Sequence, residues 1–306
     1  MCYTNGTEVN KFLLLGFHDL SNSKIPLFLI FLLIYIVILC GNIAIICLVT
    51  LKENLQIPMF YFLKHLGFSD VIFTSNSIPM ILYIILNKDF TISFAHCVFQ
   101  LYILGSSGFV QCFLLAVMSY DRYLAVCHPL HYISTMNPNS CLTIVAGCWL
   151  LGFLLMTSEI VLLSKLQFCS FSAIDHFLCD FGPLVSFSTS DTSVLLLLDF
   201  SISTFVISAP FAFIIGTYIC IFIAILRIRT RDGRQKTFLT CSSHLTVVCM
   251  YYGTLMTVYV VPSGETSLTL KKFLSLLYIV ITPVMNPIIY SLRNKEIREA
   301  LKKYFR

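Results

Sequence analysis

Long apolar runs without a single charged residue restrict what this chain can fold into. No Asp, Glu, Lys or Arg occurs between Ile25 and Leu51, and none occurs between Phe90 and Tyr120. About 20 consecutive, mostly apolar residues form a helix long enough to cross the hydrocarbon core of a bilayer. The first run is longer than the roughly 7–15-residue core of a cleaved signal peptide and has no small-residue cleavage site. Both runs therefore predict membrane-spanning helices.

The composition places the whole chain in the same class. Hydrophobic residues make up 58% of the 306 residues and charged residues 11%, whereas soluble domains average roughly 45–50% and 25%. The net charge of +5 does not indicate nucleic-acid binding, because the positive residues lie between apolar runs. Most of the 13 cysteines lie inside those runs and no pair has zinc-finger spacing, so neither a metal site nor a cofactor is predicted.

Seven apolar spans follow one another along the chain. Their predicted limits are 25–51, 58–86, 94–126, 142–162, 194–226, 237–261 and 273–292. Pro58 opens the second span, where a proline costs no helical hydrogen bond, and Pro262 ends the sixth. The polar stretch 165–192 is too long for an ordinary connector, so we expect it to be functional or braced. The predicted fold is an all-α membrane protein in which residues 26–292 form a bundle of seven transmembrane helices.

The distribution of positive charge predicts the orientation of this bundle. If the N-terminus lies outside, 14 Lys and Arg residues face the cytosol and six face the exterior, which satisfies the positive-inside rule. Residues 1–25 are then an extracellular segment, and Asn5 lies in a glycosylation sequon. Residues 293–306 are predicted to be a cytoplasmic, amphipathic helix on the membrane surface, because apolar residues recur at helical spacing from Ile297. A frayed charged tail is the alternative.

The ionisable residues inside the spans favour a signalling switch over a conduit. They are few: Asp70, Arg122 and His244, with Glu159 and Asp199 near the outer ends. Charges inside a membrane are costly and therefore mark functional positions. Many transporters carry repeated halves and paired broken helices, and neither is found here, although a transporter remains an alternative. No metalloprotease, phosphate-loop or serine-hydrolase motif occurs, so an enzyme is not predicted.

The order of several single residues resembles that of rhodopsin-like G protein-coupled receptors over nearly the whole chain. These residues are Asp70, Cys97, Asp121-Arg122-Tyr123, Trp149, Pro210, Tyr218 and Asn286-Pro287-Ile288-Ile289-Tyr290. Longer segments are similar to olfactory receptors in particular. These segments are 55–63, 118–127, 128–132, 236–245, 283–287 and 290–294. Within these segments the chain departs from the usual pattern at three positions, with Gln56 for His, Phe60 for Tyr and Ser119 for Ala.

The resemblance implies a receptor of the plasma membrane, expected in the cilia of olfactory neurons. Small, mostly neutral volatile odorants would bind in the outer half of the bundle, and a stimulatory, olfactory-type G protein would then raise cyclic AMP. A receptor of the same fold for another ligand in another tissue is the alternative. Leu104 stands where amine receptors carry an Asp, so the usual counter-ion of an amine is absent there, while Glu159 and Asp199 leave a case for a cationic odorant.

Two groups of functional residues follow from the resemblance. The ligand would be bound by Leu104, Gly105, Gly108, Phe109, Ile202, Val206, Tyr252, Met256 and Tyr259. Because these residues fall at helical spacing, ordinary packing between helices is the alternative for each of them. The switch and the surface for the G protein would comprise Asp121, Arg122, Tyr218, His244, Asn286, Pro287 and Tyr290. For His244, a packed and neutral core histidine is the alternative.

The resemblance also implies a disulfide between Cys97 and Cys179, which would hold the long outer loop over the bundle. The family's second loop pair is incomplete, because Thr189 stands where a partner for Cys169 is usual. Asp70 matches an acid that helps to bind sodium in many related receptors. Gln111 replaces the Glu that olfactory receptors commonly add, so the alternative is a buried acid hydrogen-bonded to Asn286 and Asn42.

Overall fold

A computed structural model describes residues 11–16, 23–87, 90–168, 172–228, 230–260, 265–293 and 297. Its helices are α1 (Lys24–Leu51), α2 (Pro58–Asn87), α3 (Phe94–Cys127), α4 (Pro129–Thr135), α5 (Pro138–Leu163), α6 (Phe181–Ser186), α7 (Ser193–Arg227), α8 (Arg231–Val260) and α9 (Glu265–Arg293). The long helices α1, α2, α3, α5, α7, α8 and α9 correspond in order to the seven predicted spans. The predicted seven-helix bundle is thereby confirmed.

Several helices extend beyond the predicted apolar limits. α8 begins at Arg231 rather than 237, and α9 begins at Glu265 rather than 273. Hydropathy locates the part of a helix that lies in hydrocarbon, whereas a helix can continue into water through a charged turn. The short helix α4 follows α3 directly, and α6 lies within the outer stretch 165–192. Both are too short to show a periodic pattern in the sequence.

The sixth span, α8, differs from the other six in composition. Within the described residues, α1, α2, α3, α5, α7 and the Lys272–Tyr290 part of α9 are long and apolar enough to cross a membrane. α8 starts with charged residues and continues with many hydroxyl groups. Its Ser243 and His244 are buried while Leu245 is exposed, so these two polar residues face neighbouring helices and Leu245 faces lipid.

Burial across the bundle has the polarity expected in a membrane. Large apolar side chains such as Leu33, Leu154 and Phe200 are more than half exposed on the outer faces of their helices. Asp70 and Gln111 are almost completely buried in the centre. In lipid, unsatisfied polar groups are costly, so polar side chains must find partners between helices.

A small sheet lies at the end of the bundle that carries the disulfide. β1 (Lys11–Leu14) is its central strand and pairs antiparallel with β2 (Phe90–Ser93) and parallel with β3 (Ser172–Ile174). Phe12 and Leu14 of β1 are fully buried. No pattern in the polar segment 1–25 predicts this strand, because four residues are too few to establish a period. The disulfide Cys97–Cys179 is present beside the sheet and confirms the predicted pairing.

Two predicted features fall outside the described residues. They are the sequon at Asn5 and the tail 293–306, of which only Arg293 and Ile297 belong to the described part. Cys169, for which the usual partner is absent from the sequence, also lies outside the described residues. Glycosylation and the amphipathic tail helix therefore stay predictions.

The contact between α3 and α5 is close enough to require glycine. A Cβ atom at Gly152 would lie 2.7 Å from Val110 Cγ2 and 3.1 Å from the Ser106 carbonyl oxygen. We expect Gly152→Ala to lower the free energy of unfolding by about 1–3 kcal/mol, because neither neighbour can move freely. Gly147 lies on the same helix with nothing within 4 Å of its Cβ position, and Gly147→Ala should be neutral or stabilising. Thermal unfolding of the purified variants tests this, and equal midpoints for both would contradict the close contact.

Candidate functional site

A cavity of about 230 Å³ opens between the outer halves of the helices. Side chains from α2, α3, α5, α7, α8 and α9 form its walls, and the chain between β3 and α6 covers it with residues from His176 to Phe181. The cavity reaches down α3 as far as Cys112. This volume lies below the roughly 300–1,000 Å³ of pockets for drug-sized ligands, so the cavity suits a smaller molecule.

The cover of this cavity is attached firmly to α3. Cys179 is bonded to Cys97 in the first turn of α3, and its backbone N–H also donates to Gln100 Oε1 at 3.0 Å. Gln100 is buried and donates through Nε2 to the Asn76 carbonyl oxygen at 3.0 Å. Gln100 therefore links the cover, α3 and α2, a role that no motif in the sequence predicts.

The structure brings five of the nine proposed ligand residues to this cavity. These five are Leu104, Gly105, Gly108, Phe109 and Val206. Ile202 is buried but does not line the cavity. The side chain of Tyr259 lies outside the described residues.

On α8 the side of the helix that faces the cavity differs from the proposed one. Tyr251 and Leu255 line the cavity, whereas Tyr252 packs against Phe211 of α7 with ring centroids 4.9 Å apart. Met256 is 37% exposed and is also absent from the lining. Successive residues of a helix are about 100° apart, so a shift of one residue turns the expected stripe away from the cavity. Helical spacing predicts which residues share one face of a helix, but it does not predict which neighbouring helix or cavity that face contacts.

Aromatic residues form the deep end of the cavity and join several helices. The Tyr251 hydroxyl donates to the Gly108 carbonyl oxygen at 2.8 Å, and Tyr251 packs against Tyr278 of α9 with centroids 5.9 Å apart. Tyr278 in turn packs edge-on against Phe73 of α2 at 5.4 Å. A Cβ atom at Gly108 would lie 3.2 Å from the Tyr278 hydroxyl. A ligand at this depth would contact α3, α8 and α9 together.

Three carboxylates line the otherwise apolar cavity. They are Glu159 of α5, Asp180 of the cover and Asp199 of α7. The sequence places Glu159 and Asp199 near the outer ends of two spans, but only the folded chain brings both to one cavity. His176 also lines it, and burial lowers the pKa of His176, so this imidazole is neutral at pH 7. No Lys or Arg belongs to the described lining.

Below the cavity, Asp70 is the centre of a buried polar cluster. Gln111 Nε2 donates to Asp70 Oδ1 at 3.0 Å, and Asn286 Nδ2 donates to Asp70 Oδ2 at 2.7 Å. Asn42 donates instead to the carbonyl oxygens of Ile38 and Pro283. Both oxygens of Asp70 thus accept a hydrogen bond from an amide, and the cluster contains a single carboxylate. The sodium site implied for Asp70 stays a prediction.

The inner end of α3 holds an ion pair that is braced by α4. Arg122 Nη2 lies 3.1 Å from Asp121 Oδ2, and the Tyr132 hydroxyl donates to Asp121 Oδ1 at 2.8 Å. Burial, followed by the nearby Asp121 carboxylate, raises the pKa of Tyr132, so this hydroxyl keeps the proton that it donates. Tyr132 was not among the proposed switch residues, because α4 itself is not evident from the sequence.

A second contact at the inner end joins α7 to α8. The Tyr218 hydroxyl lies 2.8 Å from His244 Nδ1, and it donates to the Cys241 carbonyl oxygen at 3.2 Å. Tyr290 of α9 is buried, and Arg122 lies close enough to act electrostatically on its hydroxyl group. The structure therefore gathers five of the proposed switch residues at the inner ends of four helices. They are Asp121, Arg122, Tyr218, His244 and Tyr290.

The other two proposed switch residues lie elsewhere on α9. Asn286 belongs to the Asp70 cluster. Pro287 packs against α1, where a Cβ atom at Gly41 would lie 2.9 Å from the Pro287 ring. These two residues connect α9 to the middle of the bundle rather than to the inner end.

Comparisons with known proteins agree along almost the whole length. A family model described as olfactory receptor matches residues 31–306. Human olfactory receptor 6N1 is 43% identical over 299 residues, which are 98% of this chain and 96% of the relative. Human olfactory receptor 11A1 is 42% identical over 98% of this chain and 95% of its own length. Human olfactory receptor 11H6 is 42% identical over 96% of this chain and 89% of its own length.

Proposed function

Because this chain belongs to the olfactory receptor family, we propose that its outer cavity binds the odorant and that the inner ends of α3, α7, α8 and α9 contact the G protein. Membership makes the chain a multi-pass receptor of the plasma membrane and not an enzyme. The observation that carries the proposal is the covered cavity, whose deep end is built from α3, α8 and α9.

The dimensions of the cavity support a small volatile ligand. For a ligand of about ten non-hydrogen atoms, at about 0.3–0.5 kcal/mol for each atom, the dissociation constant would be roughly millimolar to sub-millimolar. Leu104, Phe109 and Val206 provide apolar contacts for the body of such a molecule. Weak binding of this kind allows one site to accept several related ligands.

The proposed mechanism is a shift of population between two arrangements of the bundle. Tyr251 at the cavity and His244 at the inner contact belong to the same helix, α8. A ligand that favours a different position of Tyr251 would therefore also displace His244 from Tyr218. Release of that contact would open a cleft between the inner ends of α7 and α8, with Arg122 at its base.

Further parts of the proposal concern the partner and the ends of the chain. The G protein would be of the stimulatory, olfactory type, so that activation raises cyclic AMP, and the receptor would reside in cilia. Residues 1–25 would be extracellular and glycosylated at Asn5, residues 26–292 would form the receptor domain, and residues 293–306 would lie on the inner membrane surface.

The test is a screen of chemically diverse volatiles on cells that express the full chain with a stimulatory, olfactory-type G protein. We expect some of the volatiles to raise cyclic AMP in a concentration-dependent manner, and cells without the receptor provide the background. Surface labelling of the receptor in the same cells excludes failed transport as a cause of silence. A receptor that reaches the surface but responds to no volatile would contradict the proposed function.

A further inference from the structure

The charged lining of the outer cavity indicates the chemical class of the ligand. We propose that this ligand is a small amine, whose protonated nitrogen binds the Glu159 carboxylate with Asp199 as a second negative group. The proposal rests on the odorant-binding role of the cavity. It replaces the expectation of a mostly neutral ligand.

Glu159 is the residue best placed to bind a positively charged partner. It is only 2% exposed, it lines the cavity, and its Oε1 has no hydrogen-bond partner within the described part of the chain. A buried carboxylate without a donor or a counter-ion is costly. An ammonium group in the cavity would supply both the hydrogen bond and the opposite charge.

The surroundings of Glu159 increase the negative charge rather than neutralise it. Asp199 repels Glu159, and Asp180 repels Asp199. Lys272 is a nearby cation of the outer region, but it forms an ion pair with Asp175 and is absent from the lining. No Lys or Arg of the described lining neutralises these acids, so a cation bound in the cavity would stabilise their ionised forms.

The remaining lining favours an organic ammonium over a metal ion. No group of three or more His, Cys, Asp and Glu residues that could hold a metal occurs in the described residues. The faces of aromatic rings attract organic cations, and Phe109, Phe181 and Tyr251 are among the rings of the lining. An apolar amine would place its carbon skeleton against these rings and its nitrogen at Glu159.

The experiment compares each amine with the alcohol of the same carbon skeleton, for example cyclohexylamine with cyclohexanol. Binding is measured as thermal stabilisation of the purified full chain in lipid nanodiscs, and signalling is measured as cyclic AMP in cells. For the wild type, we expect amines to act at concentrations about 10- to 100-fold lower than the matched alcohols, as for a hydrogen bond to a charged group. Equal potency of amines and alcohols would overturn the proposal.

Glu159→Gln keeps the size of the side chain and removes its charge. We expect it to abolish the preference for amines in both measurements, while Asp199→Asn should reduce the preference by a smaller factor. Glu53→Gln is the matched control, because Glu53 is exposed in the turn between α1 and α2 and does not line the cavity. If Glu159→Gln does not fold, Glu159→Asp, which retains the charge, should keep the preference for amines and Asp199→Asn should reduce it. An unchanged preference in Asp199→Asn would then overturn the proposal.

The two measurements distinguish failure of the amine assignment from failure of the proposed receptor function. Alcohols that raise cyclic AMP as well as amines do would overturn the amine assignment and leave the receptor function intact. Amines that stabilise the purified protein through Glu159 but raise no cyclic AMP would support the assignment and contradict the signalling role. A preference for amines that survives in Glu159→Gln would overturn the role of Glu159.

Discussion

Replacing Arg122 by alanine is expected to reduce agonist-driven cyclic AMP to the level of cells without the receptor, while the protein still reaches the cell surface. Arg122 is 15% exposed at the side chain and lies at the inner end of α3, where its neighbour Asp121 accepts a hydrogen bond from α4 and where α7 contacts α8. Once the inner end opens, its guanidinium offers five donors to the partner. Alanine removes these donors, while Tyr132 still donates to the buried Asp121 carboxylate. Cyclic AMP and surface labelling in the same cells test this result.

Asp121→Asn is a control for which we expect the opposite effect, an increase in cyclic AMP. The change leaves Arg122 in place but weakens its ion pair, so we expect basal cyclic AMP to rise without any ligand. Tyr132→Phe removes the hydrogen bond at 2.8 Å to Asp121 and should raise basal cyclic AMP by a smaller amount. Normal signalling by Arg122→Ala would show that coupling does not need its donors. An unchanged basal level in Asp121→Asn would show that the ion pair does not restrain the resting state.

Loss of the disulfide is the second change with a large expected effect. Cys97 and Cys179 are 82 residues apart in sequence, and removing a native disulfide typically costs about 2–5 kcal/mol. In Cys97→Ser the covalent link between α3 and the cover of the cavity is lost, while the hydrogen bond from Cys179 to Gln100 can remain. We expect most of the protein to be lost from the cell surface, and the remainder to lose its response to odorants. Flow cytometry of intact cells, combined with cyclic AMP, measures both effects.

The remaining cysteines provide the control for this prediction. Cys220 is a free, exposed cysteine on α7, and Cys220→Ser should leave surface expression unchanged. Cys179→Ser and the double variant should resemble Cys97→Ser, because one bond is lost in each case. A Cys97→Ser receptor with normal surface expression and potency would show that the cover does not depend on the disulfide.

The number and order of the spanning helices could be predicted closely from the sequence. The cost of placing a segment in hydrocarbon is approximately a sum over its own residues, so Ile25–Leu51 can be recognised without reference to any other part of the chain. The ends of the helices were less predictable. A helix continues beyond the apolar region wherever its backbone hydrogen bonds can be satisfied. α8, for example, begins at Arg231, before the apolar region starts.

The candidate sites were predictable where a local motif carries them. Asp121 and Arg122 are neighbours in sequence, and their ion pair is therefore implied once α3 is recognised. Tyr132 lies on a separate short helix, and Gln100 acts through the backbone of Cys179. Neither residue has a local signal, because its role exists only through a partner distant in sequence.

By itself, the sequence determined that seven apolar helices cross a membrane and which cysteines pair, since transfer into lipid depends on local composition and the family motifs carry the pairing. Only the tertiary structure decided that Tyr251 rather than Tyr252 faces the cavity, that β1 packs between β2 and β3, and that Glu159 and Asp199 share one cavity. The physical reason is that the rotation of each helix is set by packing against its neighbours. That packing depends on residues far apart in the chain.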